Sequence, residues 1–234
     1  MIHVVTLFAQ NYMSRGLAML ESVQKYSTTP LRITVLAMDV ETQSYLEEAH
    51  IPNLNSISIE DFQDPDFRKL LESRPFRELC WTAAACLTNY VFKKDSESEF
   101  IIYIDSDCYF FSDIACLSAE WNANSNIFVH EHRYSAGRLQ WEATAGRFNV
   151  GVVGFRGNSK EAGACLAKWR QQVLDVCELN PELGLCGDQG YLNEWPTAYS
   201  GLQIMSSPGE GAAPWNIEDR VATKSSSVVC ISDK

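Results

Sequence analysis

Phe100-Ile101-Ile102-Tyr103-Ile104-Asp105-Ser106-Asp107 runs five apolar residues straight into two carboxylates separated by one serine. An uninterrupted apolar run rich in isoleucine and aromatics predicts a strand buried on both faces. Such a strand cannot carry an unpaired carboxylate in its middle, because burying one costs on the order of several kcal/mol. Asp105 and Asp107 therefore belong where the strand ends, and in open α/β sheets that edge is where ligands bind. Two carboxylates one residue apart on a turning chain can reach one divalent cation. Hard oxygen donors of this kind suit Mg²⁺ or Mn²⁺ bridging a diphosphate. A plain turn, with both aspartates bonding nearby backbone amides, also accounts for the pair, so the rest of the chain has to decide.

Working outward, Ile2 to Phe8 reads as an opening strand that leaves no room for a leader, and Ala9 to Tyr12 as a connection. Met13, Leu17, Leu20 and Val23 then recur at helical spacing up to about Ser27. A strand from Leu31 to Met38 ending at Asp39, a helix from Glu41 to Ala49 and a strand from Asn55 to Ile59 complete a βαβαβ start, which implies a parallel sheet with helices on its faces. Residues Glu60 to Pro75 read as an acidic loop, and Arg77 to Phe92 as a helix that delivers the chain into the central strand. Tyr109-Phe110-Phe111 is expected to leave the site and re-enter the core. Ile127 to His132 reads as a strand with polar residues at its end, and Phe148 to Phe155 as a strand broken by Gly151 and Gly154. Asn158 or Ser159 is expected to cap a helix with Ala162, Cys165, Leu166, Trp169, Val173 and Val176 on one face. A short helix up to Trp195, a loop from Ser206 to Pro214 and a strand-like, unfinished tail from Val228 to Ile231 follow.

The bulk properties narrow the function. With 46% hydrophobic and 21% charged residues the 234-residue chain can bury a real core, so it is read as one domain over 1–234. A net charge of −11 argues against a nucleic-acid or anionic-membrane surface, which needs a basic face. A diphosphate can still bind if a metal ion supplies positive charge. The eight cysteines include no Cys-x-x-Cys pair and lie mostly in apolar stretches, so they read as small buried hydrophobes in a reducing compartment. With no signal peptide and no apolar run of membrane-spanning length, a cytoplasmic location is expected.

Five stretches in this order resemble a GT-A-fold glycosyltransferase, in particular the retaining family that includes glycogenin and the bacterial galactosyltransferases of lipooligosaccharide synthesis. They are Thr6 to Tyr12 with its following helix, Arg77 to Trp81, Tyr103 to Asp107, Asn149 to Val153, and Gly187-Asp188-Gln189-Gly190-Tyr191-Leu192-Asn193. The resemblance implies an α/β, Rossmann-like fold with a mixed, mostly parallel central sheet flanked by helices. It also implies roles. Thr6 and Tyr12 lie in the loop that holds the nucleotide base. Asp39 takes a ribose hydroxyl, or is only a turn residue. Arg77 faces the diphosphate or sugar, or is only a surface arginine at a helix start, while Trp81 reads as core. Asp105 and Asp107 become ligands of Mn²⁺ or Mg²⁺, with Ser106 between them at the donor. Asn149 and Gly151 face the donor sugar, and Asp188 and Gln189 lie nearest its anomeric carbon, as the catalytic pair. A third metal ligand, a histidine, is implied near or after Pro214-Trp215, yet none occurs after His132. That ligand is expected in a C-terminal piece beyond Lys234.

The function so implied is metal-dependent transfer of a hexose from a nucleotide-diphosphate sugar, a UDP-sugar by the family's habit, to a glycan, lipid-linked or protein acceptor, with retention. Two other readings stay open. One is a GT-A-like domain that binds a nucleotide or glycan without turnover. The other is a haloacid-dehalogenase-type phosphatase, whose Asp-x-Asp also follows a strand but lies near the start of its domain. Trp141, Tyr134 and Phe148 are aromatic candidates for stacking on a sugar, or packing residues.

Overall fold

The computed structural model describes residues 1–119, 121–207, 209–225 and 228–233. The strands are β1 (Ile2–Phe8), β2 (Leu31–Ala37), β3 (Leu54–Ser58), β4 (Phe100–Ile104), β5 (Ile127–Glu131), β6 (Phe148–Arg156), β7 (Leu179–Asn180), β8 (Leu185–Cys186), β9 (Leu202–Ile204), β10 (Arg220–Ser225) and β11 (Val228–Asp233). The helices are α1 (Met13–Tyr26), α2 (Val40–Ala49), α3 (Pro65–Arg68), α4 (Phe76–Lys94), α5 (Ala115–Ala119), α6 (Glu142–Ala145), α7 (Lys160–Asp175) and α8 (Trp195–Ala198). Seven strands form one sheet in the order β3-β2-β1-β4-β6-β5-β9. Its pairs are parallel except those that β6 makes with β4 and β5.

Alternation along the strands builds two cores, one on each face. Val5 and Leu7 of β1 and Ile101 and Tyr103 of β4 pack with residues of α4 and α7. Val4 and Phe8, with Ile102 and Ile104, pack with Met19, Leu20 and Val23 of α1 on the other face. Both faces of β4 are covered, which is why its sequence is apolar without interruption. Because β6 runs antiparallel to β4, its first residues lie beside the end of β4, and the Asp105 amide donates to Gly151 O at 2.9 Å. The end of β5 lies there too, across a register shift between Val129 and His130. The carboxyl ends of β1, β2, β4 and β5 thus meet the start of β6 along one edge.

Local chemistry explains the helix starts. Asp39 accepts from the Thr42 amide at 2.9 Å and caps α2, Asp64 caps α3, and Ser159 caps α7 through the Ala162 amide. At the far end of the sheet, His3 Nδ1 lies 2.5 Å from Asp95 Oδ2 and His3 Nε2 lies 2.8 Å from Thr34 Oγ1. Asp95 also accepts from the amides of Glu97 and Ser98 and from the Ser98 hydroxyl. Among the described residues, no helix is long and apolar enough to cross a membrane.

Several expectations need correction. The 60–75 loop contains α3, because Asp64-Pro65 is a cap followed by a proline at the first helical position. Tyr109 and Phe111 do not return to the core. They are 49% and 56% exposed, and only Phe110 packs inward, its amide held by Ser22 Oγ at 3.0 Å. Alternation explains this: in an extended segment, pinning the middle residue inward turns its neighbours out. β6 is continuous through Gly151 and Gly154, and its irregularity is a bulge against β5. Val176 lies beyond α7 and is exposed. The tail strand runs as β11 from Val228 to Asp233 and pairs antiparallel with β10, a strand the sequence did not suggest. Of the cysteines, Cys86, Cys165 and Cys177 are buried as expected, but Cys116 is exposed. Pro208, inside the expected 206–214 loop, lies outside the described residues.

Candidate active site

Asp105 is the first residue past β4, half-buried, and Asp107 two residues on is exposed. Beneath them the Tyr103 hydroxyl, fully inside the core, donates to Asp105 Oδ1 at 2.9 Å. Alternation makes this contact, since residues two apart on a strand share a face. Burial pushes the Asp105 carboxyl up to about 6, the Tyr103 hydrogen bond opposes the rise, and Asp107 adds to it. Asp188 is buried, and its carboxyl stands well above the ordinary range through burial and then the charge of Asp105. Residues 83 apart in sequence are thus electrostatic neighbours, although no local signal in the chain joins them.

The turn carrying Asp188 is held from two sides. Gly187 has φ +54°, and a Cβ there would stand 2.9 Å from Trp81 Cε3. The indole of Trp169 on α7 donates to Asp188 O at 3.0 Å. Trp81 is therefore a buttress of the 187–189 turn. The Gln189 side-chain amide donates through Nε2 to Ala145 O at 2.9 Å. Exposed Arg77, one turn before Trp81, lays its guanidinium over that ring at 5.0 Å and pairs with no carboxylate among the described residues.

On the β6 side, Asn149 Oδ1 accepts from the Gly151 amide at 2.6 Å, and a side chain at position 151 would run into that oxygen. The asparagine thus caps the bulge, with its Nδ2 3.2 Å from His132 Nε2. His130 and His132 are both buried, and burial lowers both imidazoles, His130 to about 4. His132 Nδ1 is buried without a hydrogen-bond partner. The polar residues expected at a strand end therefore line the site beside Asn149. Their alternation with Val129 and Glu131 was the only hint of this in the sequence.

On the opposite side, Tyr12 is exposed with Arg15 over its ring at 4.7 Å. Asp39 Oδ2 accepts from the Gln10 amide at 2.7 Å, which fastens the first loop to the end of β2. Burial opposes ionisation of Asp39, but hydrogen bonds from Thr42 and Gln10 hold its carboxyl below the usual range. Asp39 is thus a cap and a loop fastener. Thr6 is not in that loop. It lies within β1 at 0% exposure, with Oγ1 unpartnered, because the strand runs two residues further than a base-binding role for it requires. Ser106 is buried between the two aspartates.

The fold is that of the GT-A glycosyltransferases. The chain superposes on the galactosyltransferase LgtC, in complex with donor and acceptor sugar analogues, with TM-score 0.54 and 16% identity over 88% of this chain and 74% of LgtC. The WbbM bifunctional glycosyltransferase gives 0.54 and 16%, over 87% of this chain and 38% of WbbM. GlyE of Streptococcus pneumoniae TIGR4 gives 0.53 and 19%, over 87% of this chain and 44% of GlyE. In sequence, the chain is 30% identical over 219 residues to the uncharacterised protein YfnD of Bacillus subtilis (strain 168), covering 93% of this chain and 70% of YfnD, and it belongs to the family of that protein. The uncharacterised YfnF of the same organism is 25% identical over 219 residues, 90% of this chain and 71% of YfnF. No family model matches the chain.

Proposed function

We propose that the protein is a glycosyltransferase that moves a hexose from a nucleotide-diphosphate sugar, a UDP-sugar, to an acceptor hydroxyl with retention. One observation carries the reading: Asp105 and Asp188 are both raised carboxyls at the ligand edge of a glycosyltransferase fold, with the Tyr103 hydroxyl on Asp105 and the charge of Asp105 acting on Asp188. Among the described residues, the charges acting on these two carboxyls are themselves carboxylates. Such a donor set is matched to a divalent cation, whose charge would relieve burial and repulsion together.

Asp105 and Asp107 would hold Mn²⁺ or Mg²⁺. Among the described residues no group of three His, Cys, Asp or Glu side chains converges for a metal, so donor oxygens or water would complete the set. When bound, the cation neutralises charge on the departing nucleoside diphosphate. The chain's own residues do the rest. Tyr103 fixes one oxygen of Asp105. The exposed guanidinium of Arg77 can reach developing phosphate charge. Tyr12 offers a ring to the base, and Asp39 holds the loop beside it. Asp188 and Gln189, on a turn clamped by Trp81 and Trp169, face the sugar and favour positive charge at its anomeric carbon. The acceptor hydroxyl attacks from the face the diphosphate leaves, and the leaving oxygen takes its proton, so no separate base is needed.

Calorimetric titration of UDP and UDP-hexoses, with and without Mn²⁺, tests this. Mn²⁺-dependent binding is expected, with a loss of about 100-fold in Asp105→Asn and in Asp107→Asn. Unchanged binding in both variants would remove the metal assignment, and donor binding without donor hydrolysis or transfer would leave a binding domain.

A further inference from the structure

Residues 132–147 leave β5, cross the surface as the helical turns 136–145, and return into β6. Both ends of this segment are tied to the candidate site. At its start His132 Nε2 lies 3.2 Å from Asn149 Nδ2. At its end Ala145 O accepts from Gln189 Nε2, and the Arg147 amide donates to Asn193 Oδ1 at 3.0 Å. The segment is therefore one wall of the site.

Between the tethers, rings lead outward in a ladder. Tyr134 stacks on buried His132 at 4.7 Å with 10° between planes, and Trp141 stands edge-on to Tyr134 at 6.5 Å. Trp215 meets His132 edge-on at 5.4 Å. The Tyr134 hydroxyl is already used, donating to Gly146 O at 3.3 Å. Trp141 stays 42% exposed, although the Arg138 guanidinium lies over it at 4.8 Å. Arg138 is itself paired with Glu218, so the indole is held by fixed neighbours. An aromatic ring partly open to water, with Glu142 and Arg147 exposed on the same segment, suits a ligand with apolar faces and a hydrogen-bonding rim. A pyranose ring has that distribution, with C–H groups on its faces and hydroxyls around its edge.

The sheet order assigns the side. Tyr12 and Asp39 stand over β1 and β2, Asp105 over the middle, and the ladder over β5 and β6 beyond it. A donor whose base lies toward Tyr12 therefore leaves the ladder free. We infer that Trp141 and Tyr134 form an acceptor-side subsite that holds a pyranose of a glycan acceptor, an inference that rests on the donor reading above.

Saturation-transfer NMR on the chain with UDP and Mn²⁺ tests it, using methyl β-galactoside, methyl β-glucoside, lactose and maltose as probes. At least one probe is expected to receive saturation. The signal should fall about tenfold in Trp141→Ala and be largely retained in Trp141→Phe, while UDP affinity stays within about twofold. No saturation of any probe in the parent chain, or equal saturation in Trp141→Ala, would overturn the subsite. Repeating the measurement without nucleotide separates the two readings. If UDP fails to bind but a sugar still depends on Trp141, the sugar subsite stands and the donor assignment falls.

Discussion

Asp105 concentrates the chemistry at one residue. Its carboxyl is raised to about 6 by burial and by Asp107, against an unfolded value near 4. Between these values the folded chain binds a proton that the unfolded chain has lost, so metal-free stability falls as pH rises through this window. The cost at neutral pH is on the order of 2–3 kcal/mol. Asp105→Asn removes it. In EDTA at pH 7.5 the variant should melt higher than the parent by about 5 °C, and the gap should close at pH 4. A gap that is the same at both pH values would mean that Asp105 ionises normally. The same substitution is expected to remove donor binding, so stability and binding should move in opposite directions, as at sites that store unfavourable charge.

At the scale of elements, the 187–189 turn matters more than its length suggests. Gly187 adopts a left-handed φ of +54° against the face of Trp81. Gly187→Ala adds a Cβ to a backbone conformation that L-residues resist and presses on a ring that α4 cannot easily withdraw. A loss of about 2 kcal/mol in urea unfolding is expected, with transfer or donor hydrolysis lowered beyond what the loss of folded protein explains. An unchanged unfolding midpoint would show that the turn relaxes freely. The seven-residue stretch from Gly187 to Asn193 was legible as a unit through its resemblance to a family motif, and the structure gives its residues separate jobs. Gly187 makes the turn, Asp188 carries a carboxyl raised by burial and by Asp105, Gln189 holds Ala145 O, and Asn193 ties down the Arg147 amide. By contrast, α3, the exposed pair Tyr109 and Phe111, and strand β10 were misread or missed. Tyr109 and Phe111 depend on the anchoring of Phe110 by Ser22 and β10 on its partner strand, whereas the cap and proline that start α3 stood locally in Asp64-Pro65.

Over the whole molecule, the site occupies one edge of the sheet and the His3–Asp95–Thr34 network the other. Burial alone would raise Asp95, but hydrogen bonds from Ser98 and His3 and from the amides of Glu97 and Ser98 hold it well below the usual range. Asp95→Ala leaves those donors without their shared acceptor and should cost about 3 kcal/mol in chemical unfolding. UDP affinity of the folded fraction should stay within about twofold, since the contacts to Asp95 lie at the amino ends of β1, β2 and β4. A larger change in affinity would mean that the two ends of the sheet are coupled.

The sequence by itself determined the central strand, the aspartates at its end, the βαβαβ beginning, the capped α7 and the α/β class. These follow from periodicity, from the cost of burying a charge, and from local hydrogen bonding. Tertiary structure alone decided that Asp188 lies within reach of the charge of Asp105, that Thr6 is sealed inside β1, that Trp81 and Trp169 brace one turn, and that His132 joins Asn149 to the aromatic ladder. The physical reason is the antiparallel return of β6. It carries the start of one strand to the end of another, so that distant residues meet at a single edge, and no local pattern encodes that meeting.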